Sequence, residues 1–99
     1  MSPHLHSKGE EIATFCRRNH IRRLAFFGSV LRADFRDDSD IDVLVEFELG
    51  HVPGFAFFGL EDELGLLLGH KVDLHTPASL SDHFRERVLR EAEPAYVAA

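Results

Sequence analysis

Among its 99 residues the chain has one cysteine (Cys16), one tyrosine (Tyr96) and no tryptophan. A single cysteine excludes an internal disulfide framework and fits a reducing, cytoplasmic setting. No apolar run approaches the ~18 residues of a membrane span, and no signal-peptide pattern opens the chain, so neither membrane insertion nor export is expected. Basic residues are few: 11 Lys and Arg stand against 17 Asp and Glu, a formal net charge of −6. That balance argues against a general nucleic-acid-binding surface, which is normally basic. Repeats and low-complexity segments are absent as well. What remains is a globular composition, 44% hydrophobic and 28% charged. A chain of this length is expected to bury roughly two-thirds of its unfolded surface around one core. Residues 1–99 therefore read as a single domain.

Hydrophobic spacing gives the expected elements. Met1–His6 reads as a polar, frayed tail, with His4 and His6 as weak metal donors at most. Ser7 and Glu10 have the spacing of a capping box. Ile12, Phe15 and Cys16 follow at helical spacing, predicting a helix from about Lys8 to His20. Arg17, Arg18 and His20 sit where its dipole favours cations. Ile21–Phe27 reads as a strand that stops at Gly28. Val30–Phe35 is short enough to be a helical turn. Ile41–Phe47 alternates cleanly and reads as a second strand. Phe57, Leu60, Leu64 and Leu68 mark one face of a helix over about Phe55 to Leu68, ended by Gly69. Lys71–Thr76 reads as a third strand. Leu80, Phe84 and Val88 lie four apart in a last helix to about Glu91, with Pro94 as its terminator. The sum is a three-stranded α/β or α+β sheet with helices packed on it.

Two carboxylates attract attention. Asp40 and Asp42 lie two residues apart at the mouth of the second strand. Period two puts both on one sheet face, with Cα atoms roughly 6.6 Å apart. Like charges so close repel, and a hard divalent cation such as Mg²⁺ removes the conflict. Asp73 alternates with Val72 and Leu74 in the third strand. If that strand neighbours the second, Asp73 faces the same site. Three carboxylates would then hold two metals ~3.5–4 Å apart, the spacing used for in-line phosphoryl or nucleotidyl displacement. A solvated strand edge is the plain alternative. Gly28-Ser29 follows an apolar strand and opens a turn, where backbone N–H groups can approach a phosphate. An ordinary turn explains it equally well when taken alone. Arg32, one turn on, would meet a phosphate or an acidic neighbour.

Gly28-Ser29, ten intervening residues and Asp40-Ile41-Asp42 resemble the signature of the DNA polymerase beta-like nucleotidyltransferase superfamily. The fuller run FFGSVLRADFRDDSDIDVLVEF is similar to its minimal nucleotidyltransferase (MNT) family, and KVDLHTP and RVLREAEPAYV resemble that family's third-carboxylate strand and closing segment. The resemblance spans about Ile12 to Val97. It implies the nucleotidyltransferase fold, an α+β arrangement with a small three-stranded mixed sheet and about four helices. It also implies a cytoplasmic antitoxin that transfers AMP from ATP to a tyrosine of a HEPN-domain RNase toxin, using Mg²⁺, two ions by expectation. By position, Gly28 and Ser29 would hold the triphosphate, with Arg32 matching the basic residue that follows. Asp40 and Asp42 would bind metal, and Asp73 would complete that site and help deprotonate the incoming hydroxyl. Two positions depart from the family pattern: Ala33 stands where many members have glycine, and Asp37 where many have proline.

The short chain leaves no segment for an acceptor domain, so a partner protein is the expected acceptor, in a hetero-oligomer with the toxin or alongside a homodimer. No nucleic acid or membrane partner is expected. Two other functions compete: a catalytically silent antitoxin that blocks by binding, and a small-molecule nucleotidyltransferase. His75 shares the Asp73 face and would touch nucleotide or acceptor, or simply end the strand. His51 and His70 fall in loops without an assigned role. Cys16 reads as a core residue. Tyr96 reads as a tail anchor or a self-modification target. Phe55, Phe57 and Phe58 exceed what one helix face needs, which suggests a partner-binding or dimer patch.

Overall fold

The computed structural model describes residues 3–33, 35–36, 38–51 and 53–98, without the side chains of Pro3 and His4. Asp37, one of the two departures, lies outside the described residues. The elements run α1 (Pro3–His6), α2 (Gly9–Arg18), β1 (Ile21–Phe27), a 3₁₀ turn (Gly28–Leu31), β2 (Ile41–Phe47), α3 (Ala56–Leu68), β3 (Val72–His75), a second 3₁₀ turn (Pro77–Ser79), α4 (Asp82–Glu91) and β4 (Glu93–Val97). The strands form one mixed sheet in the order β3-β2-β1-β4.

The interior strands are the most apolar. β1 and β2 pair antiparallel, with Ile21 opposite Phe47 and Phe27 opposite Asp42. β3 runs parallel to β2, so the chain must cross over between them, and α3 makes that crossing. Alternation sends Leu24, Phe26, Ile41, Val43 and Val45 into one cluster with Ile12, Phe15 and Cys16 of α2 and Leu60, Leu64 and Leu68 of α3. The opposite face is covered more thinly: Phe27 and Leu44 meet Leu80 and Val88 beside α4. Gly69 ends α3 in the left-handed region (φ 73°), as its position predicts. Cys16 is fully buried, and burial pushes its thiol pKa up to about 12, against a small opposing effect of Arg17.

Three expectations change. The sheet has four strands, not three. Pro94 does not terminate the last helix; α4 ends at Glu91 and Pro94 sits inside β4, opposite Ala25. Proline reads as a breaker in sequence, but an edge strand tolerates it because one row of its backbone groups has no ladder partner. Within the predicted tail, Pro3–His6 is not frayed: it forms a helical turn that puts Leu5, 2% exposed, into the main core, while Met1 and Ser2 lie outside the described residues. That docking also shifts the start of α2. The Lys8 amide bonds back to Leu5, and Lys8 rather than Ser7 stands at the N-cap, with no side-chain cap bond of its own. Of the three phenylalanines near α3, Phe57 packs on the core whereas Phe55 and Phe58 are exposed.

If Leu5 is a core residue, Leu5→Ala lowers unfolding stability by about 2–3 kcal/mol in urea denaturation, whereas truncation on a frayed tail would leave it unchanged.

Candidate active site

The site forms where β1 ends and β2 and β3 begin. Asp42 is the second residue of β2 and Asp73 the second of β3, and the parallel register sets them directly opposite each other. Both alternate with core-facing residues, Asp42 between Ile41 and Val43 and Asp73 between Val72 and Leu74, so both carboxylates project from the thinly covered face. Asp40 lies exposed just before β2, near enough to act on the charge of Asp42. The conditional expectation for Asp73 is thereby met: β3 neighbours β2, and the register sets Asp73 against Asp42.

Gly28 completes the core of the site. It takes φ 77°, and a Cβ built on it would stand 2.6 Å from Asp42 Oδ2. The backbone of the turn therefore passes against this carboxylate, at a spacing that only glycine permits. Ser29, half-buried, follows in the same turn, and the Arg32 amide bonds to the Ser29 carbonyl at 3.0 Å. Arg32 itself is exposed at the end of the turn.

His75, two residues beyond Asp73, turns toward Asp42, with Nε2 3.5 Å from Oδ1. Its ring also meets the edge of Phe27. The face shared by Asp73 and His75 thus carries a carboxylate in register with Asp42 and an imidazole that turns toward it. The pKa of Asp42 is raised above the ordinary carboxylate value. Burial is the main cause; the charges of Asp73 and Asp40 add to it, and the charge and hydrogen bond of His75 oppose it.

α4 adds a wall that sequence reasoning did not assign. Phe84, Arg87, Val88 and Glu91 line a cleft of about 160 Å³ together with Phe27, Gly28 and Asp42. Their spacing, i, i+3, i+4 and i+7, is one helical face. The same periodicity that marked Phe84 and Val88 as a core stripe would have found Arg87 and Glu91. Arg87 Nε lies 3.5 Å from Glu91 Oε1 and is largely exposed, so its guanidinium is accessible from the cleft. Arg32 and Ser29 are not among the residues lining this cleft.

The donor set suits a hard divalent cation. Asp40, Asp42 and Asp73 offer carboxylate oxygens at this end of the sheet, not gathered within 4.8 Å of one another, and the pKa of Asp42 is raised first by burial and then by the charges of the other two. A cation between them would remove that repulsion, and carboxylate oxygens are the ligands Mg²⁺ takes. Beside them lie a glycine turn and an arginine, the usual partners of a phosphate chain.

Known proteins resemble this chain in sequence and in fold. A family model described as a nucleotidyltransferase domain matches residues 10–95. The protein adenylyltransferase MntA of Thermococcus cleftensis is 42% identical over 72 residues, 72% of this chain and 71% of that one. A solved structure described as a minimal nucleotidyltransferase superposes with a TM-score of 0.76 at 40% identity, over 91% of both chains. A chain from the complex of a tri-AMPylated Shewanella oneidensis HEPN toxin with its MNT antitoxin superposes with a TM-score of 0.62, over 93% of this chain and 71% of that one. At 22% identity that last likeness is one of fold.

Two outcomes follow. Gly28→Ala combines a left-handed φ with a collision at Asp42, and costs about 1–3 kcal/mol of stability in urea unfolding. Because the folded pKa of Asp42 is raised, its protonated form favours folding. That contribution is present below the ordinary carboxylate pKa and is lost as pH rises through the folded value. Asp42→Asn therefore raises the melting temperature at pH 7 in chelator, relative to the unsubstituted protein, and the gain fades below about pH 4, where Asp42 is itself neutral. Equal melting temperatures at both pH values would overturn the raised pKa of Asp42.

Proposed function

This chain belongs to the nucleotidyltransferase domain family, and on that premise we propose that it is a Mg²⁺-dependent protein adenylyltransferase. It transfers AMP from ATP to a tyrosine of a cognate HEPN-domain RNase toxin, and so acts as that toxin's antitoxin in the cytoplasm. The observation that carries this reading is the direct pairing of Asp42 with Asp73, with Gly28 pressed against Asp42. The adenylyltransferase name of the Thermococcus relative and the AMPylated toxin in the Shewanella complex support the acceptor class.

Asp40, Asp42 and Asp73 would hold the metal, probed most simply as one or two Mg²⁺ ions. When bound, Mg²⁺ neutralises the triphosphate and polarises the reacting phosphate. The chain's own residues supply the rest. The backbone of Gly28-Ser29 orients the triphosphate, and Arg87 offers a cation from the opposite wall of the cleft. Arg32 lies exposed at the end of the turn, where a phosphate extending beyond it would meet its charge. His75 fixes the orientation of Asp42 through Oδ1. A carboxylate oxygen of Asp73 takes the proton of the tyrosine hydroxyl as its oxygen attacks the α-phosphorus. The bond to the β-phosphate breaks and pyrophosphate leaves, so the acceptor gains AMP. The open cleft leaves room for a side chain presented by another protein. The exposed Phe55 and Phe58 give a surface on which the toxin would dock.

Incubation with ATP, Mg²⁺ and the cognate HEPN-domain toxin adds the mass of AMP to a toxin tyrosine. Chelator abolishes the addition, and the Asp40→Ala/Asp42→Ala protein loses at least on the order of 10²-fold in rate. A toxin that stays unmodified yet is neutralised equally by that double variant would establish a binding-only antitoxin instead.

A further inference from the structure

The opposite end of the same β1–β2 pair carries a second cluster. His20 immediately precedes β1, Glu48 immediately follows β2, and His51 lies three residues further on. A ring nitrogen from each histidine and a carboxylate oxygen of Glu48 all lie within 4.8 Å of one another. His20 Nδ1 and Glu48 Oε1 are 3.7 Å apart. The two imidazoles stack at a centroid distance of 4.0 Å, tilted by 15°. This end is six residues along β1 from Phe27, or about 20 Å from the Asp42 end.

We propose that His20, Glu48 and His51 form a binding site for one Zn²⁺-class ion, separate from the carboxylate site. Two imidazoles and one carboxylate are a ligand set for zinc, whereas Mg²⁺ takes oxygen ligands. Zinc bonds of ~2.0–2.1 Å set tetrahedral ligands about 3.4 Å apart. The His20–Glu48 pair is already near that spacing, and exposed side chains at a strand end close the remainder by rotamer change. Backbone bonds hold the three residues together before any ion arrives. The Glu48 amide donates to the His20 carbonyl at 2.8 Å, and the His51 amide donates to the Glu48 carbonyl at 3.0 Å. His20 adopts a left-handed φ of 57°, which turns the chain sharply from α2 into β1. Three protein ligands leave a fourth position for water or for a donor from another molecule. The bound ion would tie the α2–β1 turn to the segment after β2.

The full-length protein, saturated with Mg²⁺ to occupy the carboxylates, is titrated with ZnCl₂ against a chromophoric competitor. One equivalent binds, and the Asp40→Ala/Asp42→Ala and His6→Ala proteins bind it equally well. His51→Ala and Glu48→Gln each weaken binding at least tenfold while keeping the metal-free melting temperature. Cobalt(II) bound in the same place gives the intense visible absorption of a four-coordinate ion, and His51→Ala removes it. Zinc affinity that is unchanged by His51→Ala and Glu48→Gln, or that disappears with Asp40 and Asp42, overturns the proposal.

Discussion

The site depends on one strand pairing. β3 is only four residues long, yet its parallel register against β2 decides where Asp73 stands. A slip of one residue would turn Asp73 into the core and bring Val72 or Leu74 to the surface. The register is therefore held by the same alternation that builds the hydrophobic core. Glu61 of α3 reinforces it, accepting a hydrogen bond from the Leu74 amide at 2.8 Å. The crossover helix thus carries core leucines on one side and secures the edge strand that bears a site residue.

Asp42 pays for that arrangement. It is partly shielded from water, faces other carboxylates and has the backbone of Gly28 against one oxygen. His75 offsets part of this without cancelling it. A group held in an unfavourable charge state is a common mark of a functional centre, because folding alone would not select it. Its neighbours are specific in the same way: glycine is the residue that fits at position 28.

Much of this was legible in sequence because strand periodicity is unforgiving. Ile21–Phe27 and Ile41–Phe47 carry strong apolar alternation or runs, and both occur with those bounds. Asp40, Asp42 and Asp73 stood out as charged residues in or beside apolar strands. The parts that were not legible lack such a pattern. Glu93–Val97 has proline as its second residue and four others of mixed character, so only pairing with β1 makes it a strand. Leu5 is one leucine among polar residues, and its burial is decided by a contact distant in sequence. Arg87 and Glu91 share a helical face with Phe84 and Val88, but periodicity shows which residues share a face and not what that face meets. The His20, Glu48 and His51 cluster is drawn from two places in the chain, with spacings that match no short motif.

The burial of Cys16 has a consequence for how the molecule's motions can be observed. Its sulfur is fully enclosed between α2 and the sheet, and the thiolate is disfavoured up to about pH 12. Oxidants and alkylating reagents attack exposed thiolates, so burial protects Cys16 from both in the native chain. The sulfur is reached when α2 lifts from the sheet, which opens the main core. With one cysteine in the sequence, reagent uptake is a clock for that opening, free of any competing thiol.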